Sequence, residues 1–281
     1  MTLDKLMQIA VAITLIEMMI TIGLKVTYSQ LAAVATNWRL VAWAFLANYV
    51  CVPAAAIGLL LLFPTSSAIT AGFLILAVCP GGPYGPPFTM FARGNIAAAV
   101  GVMVLLAGSS AVLAPLLLAS LLPLMTGAEP LQVNSAKLVV ILLATQLLPL
   151  CVGLSIRHWW SPLADRLEKP AQFTSKVLNV FSTGLVLFVQ FHTLSGIRPI
   201  AFAGMLALLL FSFAAGWLAG GPAGDGRRSM TLVTSLRNVA VSLVIATSAF
   251  PGTSATTAVV AYALVEITGS LLLAVWWGRR P

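Results

Sequence analysis

The chain has 281 residues, of which 60% are hydrophobic and only 8% charged, with a mean hydropathy of +1.02. Soluble domains carry roughly 25% charged residues to solvate their surfaces, so a water-soluble protein is excluded and lipid is the chain's main solvent. The formal net charge of +8 would suit nucleic acid in a soluble protein, but its placement along this chain is a topology signal, and no nucleic-acid partner is expected.

A spanning helix needs about 20 mostly apolar residues, because lipid offers no partner for backbone N–H and C=O groups. In chain order the apolar segments cover 6–26, 37–62, 67–92, 95–122, 137–157, 174–196, 199–220, 228–250 and 254–277. They predict an all-α polytopic membrane protein of about nine spans with no soluble domain. The first segment is too long for a signal peptide, contains Glu17 and lacks a small-x-small cleavage site, so it is read as a span.

Cytoplasmic loops collect Lys and Arg. Alternate connections hold Lys25, Arg39, Arg93, Arg157, Arg166, Lys169, Lys176, Arg227, Arg228, Arg279 and Arg280, whereas the opposite side has Lys5, Lys137 and Arg198. Eleven against three places the N-terminus outside and the C-terminus in the cytoplasm. The longest polar connection, from Arg157 to Lys176, separates four spans from five and includes the interfacial anchors Trp159 and Trp160. An odd number of spans in one half inverts it relative to the other. The chain therefore reads as a single transporter domain of two inverted repeats, 1–125 and 130–281, the first lacking its first helix.

The third span contains Cys79-Pro80-Gly81-Gly82-Pro83-Tyr84-Gly85-Pro86-Pro87, with three glycines and four prolines in nine residues. Proline removes a donor and clashes with the preceding turn, while glycine adds backbone freedom, so the span breaks at membrane depth. Irregular backbone is tolerated there only where protein buries it or it lines a cavity. Broken helices of this kind point to transport sites, because a half-helix aims unpaired N–H groups at an anion. Pro86 and Pro87 suit the first turn of that half-helix. Pro53, Pro115 and Pro149 read as ordinary kinks, and Cys51, Cys79 and Cys151 as small apolar residues without metal-like spacing.

Glu17, Arg237 and Glu266 fall near the centres of their spans, where a charge costs at least about 3 kcal/mol and seeks a partner or a wet cavity. One Arg–Glu pair is expected, leaving a second carboxylate that is protonated or binds a cation. Arg237 lies in the polar run Thr234-Ser235-Leu236-Arg237-Asn238 of the eighth span, where the inverted counterpart of the broken third span belongs. Asn48, Gln146, Gln190 and His192 are further polar residues in or near spans, each more often an interhelical hydrogen bond than a ligand. No P-loop, HExxH or Gly-x-Ser-x-Gly element is present, so an enzyme is not expected.

These residues resemble the bile acid:sodium symporter family and its bacterial relatives. The resemblance is carried by Gly23-Leu24, the stretch from Asn48 to Pro53, Cys79-Pro80-Gly81-Gly82, Thr89, Ala92-Arg93-Gly94-Asn95, Arg237-Asn238 and Phe250-Pro251. It implies an inverted-repeat transporter whose core domain holds two broken crossing helices and whose panel domain moves against it. The departures fall where the family binds sodium. Gly85-Pro86 stands in place of a Ser-Asn pair, Ala99 and Met103 in place of hydroxyl ligands, and Val233, Arg237 and Asn48 in place of a Glu and two Gln. Sodium needs a shell of oxygens, and a guanidinium supplies only donors. Arg237 therefore substitutes a fixed positive charge for the ion.

The resulting expectation is a secondary transporter of a small organic anion in a bacterial inner membrane, with altered or absent sodium coupling and no other cofactor or metal. Pro83, Tyr84, Gly85, Thr89, Arg237 and Asn238 form the expected substrate site. Glu17, Asn48 and Glu266 are the ion-coupling candidates. The alternatives are an ordinary sodium-coupled symporter and a non-transporting sensor or subunit of the same fold.

Overall fold

The computed structural model describes residues 3–63, 65–126, 134–195, 197 and 199–279. It is 89% helical, and no strand occurs among the described residues. The helices are α1 (Leu3–Lys25), α2 (Tyr28–Thr36), α3 (Trp38–Leu62), α4 (Ser67–Val78), α5 (Gly85–Phe91), α6 (Ile96–Thr126), α7 (Ser135–Trp159), α8 (Ser161–Ser195), α9 (Pro199–Ala219), α10 (Gly224–Ser235), α11 (Val239–Ala249) and α12 (Ser254–Arg279). Among the described residues eight helices are long and apolar enough to cross a membrane, α10 and α11 counting as one. The ninth expected crossing is the broken pair α4 and α5. The chain is a multi-pass membrane protein.

Two groups of helices meet. In one, α1 packs along α7 and α8. Its approach to α7 is set by small residues, since a Cβ on Gly23 would lie 2.5 Å from Leu150 O and 2.8 Å from Gly153 Cα. The other group packs α4 and α5 with α10 to α12, and α3, α6 and α9 around them. This core is the drier part. In its most apolar stretch the α10–α11 span is 89% buried, against 11 to 50% for the other long helices.

The expected polar connection from Arg157 to Lys176 is mostly helix, because α8 begins at Ser161 rather than near residue 174. Arg157 explains the difference. Its guanidinium bonds Asp165 at 2.5 Å and Glu168 at 3.0 Å on the first turns of α8, and its Nε donates to Leu24 O at the end of α1. The charges that read as a loop are spent locally on one helical face. Tyr28 and His158 stack edge-on nearby, with ring centroids 4.9 Å apart.

A second basic cluster forms where Arg228 donates to Ala92 O at 3.1 Å and the Asn95 N–H to Asp225 O at 3.3 Å. Between the clusters, α2 packs Val34 against Gly101 near the start of α6. The basic connections thus gather at one end of the molecule. Arg198 and Arg280 lie outside the described residues, as does 127–133, the junction of the two expected repeats.

Pro53 and Pro149 each follow a single π turn, at Ala47–Cys51 in α3 and Leu143–Leu147 in α7. The wider turn accommodates a carbonyl that proline cannot bond.

Candidate functional site at the helix crossing

The chain leaves its helix at Cys79 (φ −109°, ψ 74°), and the next helix begins at Gly85. Pro80 has no N–H to continue the ladder, and Gly81 takes φ +83°, which glycine alone adopts without strain. Leu236 is likewise extended (φ −93°, ψ 103°) between α10 and α11. The two extended stretches run side by side. The Asn238 N–H donates to Cys79 O at 2.8 Å, and the Gly82 N–H to Leu236 O at 3.2 Å. This contact requires Gly82, since a Cβ there would lie 2.3 Å from Arg237 O. Each break thus satisfies backbone groups freed by the other, as membrane depth demands.

Arg237 is 1% exposed. Its guanidinium has five N–H donors and makes five hydrogen bonds. Nε donates to Leu76 O at 3.0 Å, one Nη to Asn48 Oδ1 at 2.7 Å and Thr234 O at 3.4 Å, and the other to Asn48 O at 3.3 Å and to Ala77 O. Every acceptor is a neutral oxygen. The carbonyls of Leu76 and Ala77 belong to the last turn of α4, where the helix dipole favours a cation. Asn48 is fully buried and its Nδ2 donates to Thr234 Oγ1 at 3.2 Å, so its side chain holds Arg237 and α10 together.

The expected Arg–Glu side-chain pair does not form. Glu266 Oε1 instead accepts the Arg237 backbone N–H at 3.1 Å, because the guanidinium points to the other side, towards α3 and α4. Glu17 sits elsewhere, half-buried between α1 and α8, where it accepts from Thr21 Oγ1 at 2.8 Å and from Ser175 Oγ.

A cavity of about 90 Å³ opens where the crossing faces α1 and α8. Of the six expected substrate residues it is lined by Pro83 and Tyr84, and not by Gly85, Thr89, Arg237 or Asn238. Those four side chains, or their space, are already committed. Thr89 Oγ1 donates to Gly85 O at 2.8 Å, and Asn238 Oδ1 accepts the Val241 N–H at 3.2 Å as the cap of α11. Gly85 backs onto Val233. Ala99, Met103 and Val233 are buried and, with Gly85 and Pro86, offer no side-chain oxygen.

The far wall was missed from sequence. It is made by Val11, Thr14 and Met18 of α1 and by Asn179, Ser182, Thr183 and Val186 of α8. Tyr84 Oη donates to Asn179 Oδ1 at 2.7 Å across the cavity, and Thr14 and Ser182 share a hydroxyl contact of 2.6 Å. The signal was present, because positions 179, 182, 183 and 186 recur on one helical face. The cavity's other residues include Val239 and Ala240, the first turn of α11.

A comparison with curated proteins gives no match. The family model described as Sodium Bile acid symporter family matches residues 12–217, from α1 to the end of α9. That stretch covers most of the chain, including the first broken helix and both walls that α1 and α8 contribute. The chain belongs to the sodium bile acid symporter family, and so to a family of membrane transporters rather than enzymes.

Proposed function

We propose that the chain carries a small organic anion across a bacterial inner membrane, with Arg237 as a built-in positive charge where coupled relatives bind sodium. The observation that carries this reading is the five-bond cage around Arg237. Backbone carbonyls and an amide oxygen surround the guanidinium as oxygens surround a bound cation, and the guanidinium occupies the oxygens that a sodium ion would need.

The anion binds between the crossing and the α1–α8 wall. Tyr84, Thr14, Asn179, Ser182 and Thr183 supply hydroxyl and amide groups there. The first turn of α11 adds the positive end of its dipole, with the charge of Arg237 behind it. Pockets for drug-sized ligands measure roughly 300–1,000 Å³, so the cavity of about 90 Å³ is taken as the closed form. Entry requires α1 and α8 to move as a body away from the crossing and the Tyr84–Asn179 bond to open. The charge distribution supports an N-terminus outside and a C-terminus in the cytoplasm.

Thermal unfolding of the detergent-purified protein against a panel of carboxylates and sulfonates, in sodium and in potassium salts, tests this. A ligand at 100 times its dissociation constant stabilises by about 2.7 kcal/mol. An anion that stabilises equally in both salts is the expected result; stabilisation in sodium alone contradicts the proposal.

A further inference from the structure

Glu266 is the buried ionisable group that anion binding leaves unused, and it lies beyond residues 12–217, the stretch that matches the family. It is fully buried on α12. Its Oε1 grips the Arg237 N–H at 3.1 Å, on the extended stretch between α10 and α11. Its Oε2 has no hydrogen-bond partner among the described residues. The Arg237 guanidinium makes no direct ion pair with it, since all five of its donors go to neutral oxygens, and its charge acts on Glu266 only through space.

The rest of its surroundings are poor in charge. Of the elements packed against α12, α4, α5, α9 and α11 contain no ionisable side chain. The first crossing brings Cys79 and Tyr84, and the second brings Arg237, with Asp225, Arg227 and Arg228 on the first turns of α10. Between α8 and α12, Thr257 Oγ1 donates to Gln190 Oε1 at 2.8 Å. The ionisable residues of α8 are Asp165, Arg166, Glu168, Lys169 and Lys176 in its first half and His192 near its end. On α12 itself Tyr262 lies one turn before Glu266, and Arg279 is at the far end. Ser270, one turn after, is committed to Ser235 at 3.0 Å.

An enclosed carboxylate with one hydrogen bond and no ion pair is far costlier than its neutral form. We propose that Glu266 is a proton-binding site of the carrier, resting on the transport reading above. The proton comes from water, forms an O–H bond at the carboxyl group and returns to water when that bond breaks. No other atom is exchanged. Its release strengthens Glu266 as an acceptor for the Arg237 N–H, so the proton sets how firmly α12 holds the crossing. Because the closed form buries Oε2, exchange takes place only when movement of the helices admits water.

Infrared spectroscopy of the full chain in detergent, grown with isotope-labelled glutamate, tests this without a substrate. At neutral pH the wild type is expected to show a protonated-carboxyl band that shifts with the label. That band is expected to disappear in Glu266→Gln and to persist in Glu17→Gln. Absence of a labelled band in the wild type, or its survival in Glu266→Gln, overturns the proposal, as does loss of the band when sodium chloride replaces potassium chloride. If Glu266→Gln does not fold, a triple variant Glu17→Gln, Glu129→Gln, Glu168→Gln, in which Glu266 is the one glutamate left, decides between a protonated Glu266 and none. The transport reading is judged separately. A band that behaves as expected beside a failure of anion uptake retires transport and keeps the proton site, whereas uptake without the band does the reverse.

Discussion

Arg237 is the residue on which the crossing depends, and the cost of losing it follows from its partners. Arg237→Ala leaves the carbonyls of Ala77 and Asn48 without this partner in a dry site, and each buried polar group left unpaired costs about 1–3 kcal/mol. A large fall in the unfolding temperature in detergent is the expected outcome. Arg237→Lys, with three donors on a single nitrogen, falls between. Gly82→Ala is expected to prevent recovery of folded protein, because its methyl group meets Arg237 O at 2.3 Å and neither backbone can move away. A Cβ added to Gly58, on α3, would meet nothing within 4 Å, so Gly58→Ala is expected to be neutral or to stabilise by up to about 1 kcal/mol. At this scale the sequence singled out the two buried charges, Arg237 and Glu266, since so few occur in the spans, but also Glu17, which is half-buried. It did not reveal their pairing. Composition states that a cation and a carboxylate lie at similar depth, whereas the direction of each side chain depends on which helix passes on which side.

Between elements the two breaks were unequally legible. The first is written in prolines and glycines at Cys79 to Pro87 and could be placed to within a residue or two. The second contains neither residue between Ser235 and Val239. Its chain stays extended because the Leu236 carbonyl and the Asn238 N–H bond the first break, while the Leu236 N–H closes α10 and the Asn238 carbonyl opens α11, and only the polar run and the inverted-repeat argument pointed to it. Asn238 then starts α11 by accepting the Val241 N–H. Loss of such a cap costs about 0.5–2 kcal/mol, and Asn238→Ala is expected to lower the unfolding temperature by a smaller step than Arg237→Ala. The helical start of α8 is hidden in the sequence because its acids and bases look like a solvated loop until Arg157 is seen to gather them. Tyr84→Phe removes the side-chain bond to Asn179 that spans the cavity. It is expected to leave stability nearly unchanged and to alter the rate of anion uptake, which a vesicle assay reads directly.

For the whole molecule, the apolar spans and the basic excess were the clearest features of the sequence, and the crossing helices within a core, with α1, α7 and α8 packed together beside it, follow them. The cavity wall on α1 and α8 was not legible, because isolated hydroxyls are common in membrane helices and their significance comes from what they face. The clustering of basic connections at one end predicts sidedness. A C-terminal green fluorescent protein fusion is expected to fluoresce and a C-terminal alkaline phosphatase fusion to be inactive, and the opposite pattern would invert the topology.

The most direct test of anion carriage with Arg237 in place of sodium is uptake of labelled small carboxylates and sulfonates into proteoliposomes, with external sodium replaced by potassium at constant ionic strength. At least one anion is expected to enter at the same rate in both salts, and Arg237→Ala to abolish its entry. Uptake that requires sodium, or that survives the loss of Arg237, would contradict that mechanism.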